Sequence, residues 1–169
     1  MFGWLLALVL VAVVTLFLIG PQRIWEMTVG DPDLGALELT TLERTGRPND
    51  ALIAPDGLAA AAIDAQAPVF ATSADELYEQ LIARINAMNI VAWAQQDAQA
   101  RYARAITRSP TLKFADTNHV WVLPVNENQA TLALYAAAQM GYSDAGKNMQ
   151  RLEQWIGLLD DIPRVQPSP

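Results

Sequence analysis

HVWVLPVNENQATLALYAAA, residues 119–138, is the stretch on which the fold turns. His119 to Val125 and Gln129 to Ala138 read as two strands. In the second, Leu132 and Leu134 share one face while Thr131, Ala133 and Tyr135 share the other, the period-two pattern of a sheet. Asn126-Glu127-Asn128 lies between them, and such short polar side chains bond their own backbone in tight turns. The two runs therefore predict a hairpin.

Working outward, a helix begins near Ala145, with Met149, Leu152, Ile156 and Leu159 on one stripe, and Pro163 ends it. Upstream lie three more strand-like runs, Ile90 to Gln95, Gln99 to Thr107 and Thr111 to Ala115, the last two parted by Ser109-Pro110. Before them, Ser73-Ala74-Asp75-Glu76 forms a capping box, in which the serine accepts an early helix N–H and Glu76 reaches back. Leu77, Leu81, Ile85 and Met88 follow at helical spacing, Asn89 marks the exit, and Val69-Phe70 reads as a short strand ahead of the helix. The order strand, helix, several strands, helix predicts an α+β fold: an antiparallel sheet with two helices on one face.

The N-terminal run has a different character. From Met1 to Ile19 every side chain is apolar or small apart from Thr15, and the first charge is Arg23. At about 1.5 Å per helical residue this run is roughly 28 Å long, close to a bilayer's hydrocarbon core. Trp4 and Trp25 stand near its ends, where indole rings favour the headgroup zone. No basic residue precedes Trp4, and no Ala-x-Ala follows the run, so an uncleaved transmembrane helix fits better than a signal peptide. The division expected is an anchor over 1–20, a partly packed connector over 21–66, an α+β domain over 67–163 and a loose tail over 164–169. Breakers such as Gly30-Asp31-Pro32, Gly46-Arg47-Pro48 and Pro55-Asp56-Gly57 mark the connector, with one short strand around Leu37 to Leu42.

All 11 basic and 18 acidic side chains lie beyond the anchor, for a net charge of −7. That balance excludes a nucleic-acid surface, which needs clustered lysine and arginine. The chain has no cysteine, so disulfides, thiolate nucleophiles and cysteine-based metal centres are excluded too. No cofactor is expected.

Gly141-Tyr142-Ser143-Asp144-Ala145-Gly146-Lys147-Asn148 fits the spacing of a phosphate-binding loop between a strand and a helix. Asn148 replaces the hydroxyl that would hold magnesium, and Asp144 puts a carboxylate where bare N–H groups should receive phosphate. Nucleotide binding is therefore not expected. A turn at Gly141, a helix cap from Ser143 or Asp144 and close packing at Gly146 account for the same residues.

The same residues, Gly-x-Ser-Asp-x-Gly-x-Asn from Gly141 to Asn148, resemble the closing signature of the bacterial and plastid family known as domain of unknown function 1499. Pro48-Asn49 resembles that family's early element, and Leu112 to Asp116 leading to Val120 resembles its middle block. The resemblance spans about residues 45 to 160. Where the family has cysteine and serines after Pro-Asn, this chain has Asp50 and Ala51; where it has a Ser-x-Ser-Arg run, here stand Ala136, Ala137, Ala138 and Gln139. The resemblance implies a compact α+β domain in the bacterial envelope, without an established reaction. Arg23, Arg44 and Arg47 after the span would by themselves place the domain in the cytoplasm. The family resemblance implies the periplasm, and a single-pass protein of the inner membrane is the expectation.

Arg104, Trp121, Gln139, Ser143, Asp144 and Asn148 are the candidate ligand- or partner-binding residues, for an envelope protein or a small ligand. An open cleft at Arg104, Trp121 and Gln139 would favour binding, and a filled sheet face would favour scaffolding. The alternative is a hydrolase using Asp116, His119 or Asp144. His119 is the single histidine, and on one strand positions 116 and 119 point to opposite faces, so no metal site is expected.

Overall fold

The computed structural model describes residues 2–165. Its elements run α1 (Phe2–Ile19), α2 (Pro21–Val29), β1 (Asp50–Ala54), β2 (Ala65–Gln66), β3 (Val69–Phe70), α3 (Ala74–Ala87), β4 (Val91–Asp97), β5 (Tyr102–Arg108), β6 (Ala115–Asn126), β7 (Gln129–Ala138) and α4 (Lys147–Gly157). The fold is α+β, with seven strands in one sheet ordered β2-β1-β7-β6-β5-β4 and β3 paired to the far part of β7.

The hairpin of residues 119–138 is the middle of that sheet. His119 faces Tyr135, Val120 faces Leu134 and Trp121 faces Ala133 across an antiparallel ladder. Its first strand is longer than the sequence suggests: Ala115 to Asn126 is one continuous strand, where a separate strand over Thr111 to Ala115 was expected. Ser109 to Phe114 is instead a closed turn, in which the Ser109 N–H donates to the Phe114 carbonyl at 2.8 Å and the Phe114 N–H to Ser109 Oγ at 3.0 Å.

The sheet is mixed rather than antiparallel, because β1 and β2 run parallel, with Ile53 opposite Ala65 and Ala54 opposite Gln66. Both strands fall inside the segment expected as connector. β1 pairs antiparallel with β7, and four of its five residues are buried. Such a strand, covered on both faces, shows no alternation to read. The expected strand at Leu37 to Leu42 is a 3-10 turn over Leu39–Thr41.

Both domain helices lie on one sheet face. Leu77, Leu81 and Ile85 of α3 and Leu152 and Trp155 of α4 close over Ile53, Val120, Val122, Leu132 and Leu134. Ser73 does cap α3, accepting from the Glu76 N–H at 3.3 Å, while the Glu76 carboxylate takes the Thr72 hydroxyl at 2.8 Å. The opposite face is also covered: Leu37, Leu39, Leu42, Ala59, Ala61 and Ile63 pack on Leu52, Tyr102, Trp121, Ala133 and Tyr135. At about 25 cal/mol per Å² of apolar surface removed from water, each large side chain in these two layers is worth roughly 1.5–3 kcal/mol.

At the other end of the described chain, Arg164 forms a bridge to Phe70 and the Val165 N–H donates to the Val69 carbonyl at 2.8 Å. Residues 166–169 of the expected tail lie outside the described residues. Among the described residues no single helix is long and apolar enough to cross a membrane. Gly3–Ile19 and Pro21–Val29, bent by 90°, satisfy that test only as a pair. The bend sits at Gly20, whose φ of +79° suits a residue without Cβ.

Candidate functional site

On the helix side of the sheet, the residues between β7 and α4 form a polar clasp. Asp144 receives the Asn148 N–H on Oδ2 at 2.7 Å and the Gly146 N–H on Oδ1 at 3.0 Å, satisfying donors that a helix start leaves open. Ser143 Oγ takes the Ala145 N–H at 3.1 Å. Gly146 has φ +75° and nothing within 4 Å of where its Cβ would sit, so it serves backbone conformation and not the close packing expected of it. Asn148, fully buried, donates to the Asn49 carbonyl at 2.9 Å, and Asn49 in turn donates to the Gly141 carbonyl at 2.8 Å.

Arg151, one turn along α4, extends the clasp into the sheet. Its guanidinium meets Asp116 Oδ2 at 2.6 Å, Asn148 Oδ1 at 2.6 Å and Asn118 Oδ1 at 3.1 Å. Burial pushes the Asp116 carboxyl above its ordinary value, against the pull of the Arg151 charge. An ion pair at this depth gains little net energy, since desolvation offsets attraction, but breaking it is costly.

The opposite face of the sheet carries the second cluster. His119 is 1% exposed, its ring stacked on Trp121 at 5.4 Å and its Nδ1 2.9 Å from the Tyr102 hydroxyl. Burial and the neighbouring Arg104 charge push its pKa down to about 4, so the imidazole is neutral. Beyond it, the Tyr135 hydroxyl donates to Asp50 Oδ2 at 3.0 Å, and Arg44 holds Asp50 Oδ1 at 2.6 Å. Burial and the Asp50 charge raise the Tyr135 phenol.

A strap, residues 30–35, closes over this face. Asp33 grips Arg104 side-on, Oδ1 to Nε at 2.6 Å and Oδ2 to Nη2 at 2.9 Å. Thr117 donates its hydroxyl to the Pro32 carbonyl at 2.8 Å, and Gln139 donates to the carbonyls of Gly30 and Asp31. Burial alone would raise the Asp33 carboxyl, but the hydrogen bonds from Arg104 and the Gly35 N–H, with the Arg104 charge, hold it below its ordinary value.

The structure thus splits the candidate binding residues. Arg104, Trp121 and Gln139 belong to the strapped face, and Ser143, Asp144 and Asn148 to the clasp. Arg104 and Trp121 are each 9% exposed, so the sheet face here is filled among the described residues. The catalytic alternatives part in the same way, because Asp116 is held by Arg151, Asp144 by helix N–H groups, and His119 faces away from both. Among the described residues, no three histidine or carboxylate groups are placed to hold a metal ion. A groove of about 870 Å³ lies beside α4, lined by residues including Ile53, Ala67, Met149, Glu153, Ile156 and Asp160.

Sequence reasoning missed Arg151, Asp33 and Asn118. Arg151 carried a signal: with Asn148 it shares a helix face with the buried Leu152 and Trp155, and a polar residue on a core-facing stripe needs a partner. Asp33 carried none, since its partner lies 71 residues away.

Residues 46–159 match the family model described as protein of unknown function (DUF1499). No curated protein matches the chain. Among solved structures, a solution NMR structure of a Thermobifida fusca protein is similar at 11% identity and TM-score 0.39, covering 64% of this chain and 82% of that one.

Proposed function

The chain belongs to the DUF1499 family, and we propose that it is a membrane-anchored, non-catalytic envelope domain that works by presenting a folded surface to a partner protein. The observation carrying this reading is α1. Its large apolar side chains from Trp4 to Leu18 are exposed. Eighteen residues are at the short end of what spans a bilayer, and a shortfall of a few ångströms is met by local thinning at modest cost. The family resemblance favours the inner membrane, with the domain in the periplasm.

Binding is favoured over turnover because Asp116, Asp144 and His119, the groups considered for acid–base work, each already have a structural role. The filled face at Arg104 argues against a small ligand there and for a partner at the open groove beside α4. The test has two parts. In membrane fractionation, the full chain should resist alkaline extraction while a chain lacking residues 2–20 should be released, and a reporter fused after Pro169 should be active in the periplasm. A photocrosslinker at Glu153 in the groove should then trap one discrete neighbour that a crosslinker at Glu43 does not. Release of the full chain, or identical trapping at both positions, would overturn the reading.

A further inference from the structure

We infer that the turn Ser109–Phe114 rests in the lipid headgroup layer beside α2, so that one fixed end of the sheet faces the bilayer; this rests on the anchored reading above. Three contacts fasten α2 to that end of the domain. The Trp25 indole N–H donates to the Leu112 carbonyl at 2.7 Å, the Trp25 ring lies 5.1 Å from the Phe114 ring, and Glu26 pairs with Arg108 at 2.8 Å.

Geometry then assigns the depth. α2 is bent 90° from α1. With α1 crossing the bilayer, α2 lies along its surface, and whatever is fastened to α2 lies at that same level. The turn is built for such a place. Leu112 is 53% exposed at its tip, Met27 on the neighbouring helix is 74% exposed, and Lys113 and Arg23 have no acidic partner among the described residues. Exposed apolar tips, aromatic rings and unpaired cations on long stems are the side chains that settle at a membrane–water boundary. The turn is also stiff, closed by the Ser109–Phe114 hydrogen bonds and by Lys113, which has φ +58° and donates its N–H to the Ser109 carbonyl at 3.2 Å. Lipid is the occupant indicated because α2, to which the turn is fastened, follows α1 in the chain after a single residue.

The absence of cysteine makes the test direct. Leu112→Cys and Glu127→Cys chains, each labelled with an environment-sensitive fluorophore, are reconstituted full-length into vesicles of phosphatidylethanolamine and phosphatidylglycerol. Position 127 sits in the turn at the far end of β6, roughly 35 Å away at about 3.3 Å per strand residue. The label at 112 should shift to the blue and lose most of its emission to spin-labelled lipid, while the label at 127 should do neither. Equal behaviour at both positions, in chains that still resist alkaline extraction, overturns the inference and leaves the anchor standing. Chains that are extracted overturn the anchor and this inference together.

Discussion

The side-chain amide of Asn148 donates to the backbone carbonyl of Asn49 at 2.9 Å, across 99 residues of sequence. Asn49 answers by donating to Gly141, which opens the segment leading to Asn148. The early Pro-Asn element and the closing glycine-rich element are therefore two halves of one clasp. The residues that carry the family resemblance are fold-holding residues, whatever surface the family uses for binding.

Asn148→Ala removes one of the two donors to the Asn49 carbonyl, which keeps the Ala138 N–H at 2.9 Å, and one acceptor of the Arg151 guanidinium, which keeps Asn118 and Asp116. A neutral hydrogen bond is worth about 0.5–1.5 kcal/mol and one to a charged group about 1.5–3 kcal/mol, and one of each is lost here. Denaturant unfolding of the full chain in detergent should show a loss of about 2–4 kcal/mol.

Asp144→Ala removes a carboxylate that serves only the start of α4. The loss should be about 1 kcal/mol, typical of a helix cap. Partner crosslinking at Glu153 should be unchanged. Loss of crosslinking in a variant that unfolds normally would give Asp144 a binding role.

His119 makes stability depend on mild acid. Its folded pKa of about 4 lies below the unfolded value of 6.5, so between those limits the unfolded chain binds a proton that the folded chain refuses. Stability from the neutral ring is therefore full above pH 6.5 and falls as the pH drops toward 4, by about 3 kcal/mol in total. Asp116, raised by burial, acts in the opposite sense. His119→Gln should abolish the histidine contribution, so the difference between the two unfolding profiles, measured from pH 7 to 4, isolates it.

Asp33→Ala releases the strap from Arg104. The pair is partly screened by solvent, so the loss of global stability should stay near 1–2 kcal/mol. Hydrogen exchange should speed up in residues 30–36 and remain unchanged in β5, β6 and β7. Faster exchange throughout the sheet would show that the strap is part of the core and not a layer laid over it.

The central hairpin, both domain helices and the Ser73 cap were legible because each is written in a local pattern, such as the alternation of Thr131 to Tyr135 or the spacing of Leu77, Leu81 and Ile85. β1 was not: Asp50 to Ala54 lacks alternation since both its faces are covered. The α4 stripe was read from Met149, Leu152, Ile156 and Leu159; Leu152 and Leu159 are fully buried, but so are Trp155 and Asn148, which the stripe left out. The candidate binding residues were chosen for chemistry. The structure shows that Arg104 and Gln139 are already engaged by the chain's own strap, which no spacing rule could reveal because the partners lie 71 or more residues away.

The strap leads straight out of α2 and reaches Asp33 only four residues past Val29. Any pull on α1 would meet the fastenings in series: first Trp25 on Leu112, then the Glu26–Arg108 ion pair, then the Gln139 amide, then Thr117 and Arg104. Fastenings loaded one at a time part at low force, as when a zip is drawn from its end. The helix-side clasp of Asn49, Asn148 and Arg151 lies outside that line of load. The N-terminal helices and the body are thus mechanically separable, and the domain can yield at that junction while its core stays folded.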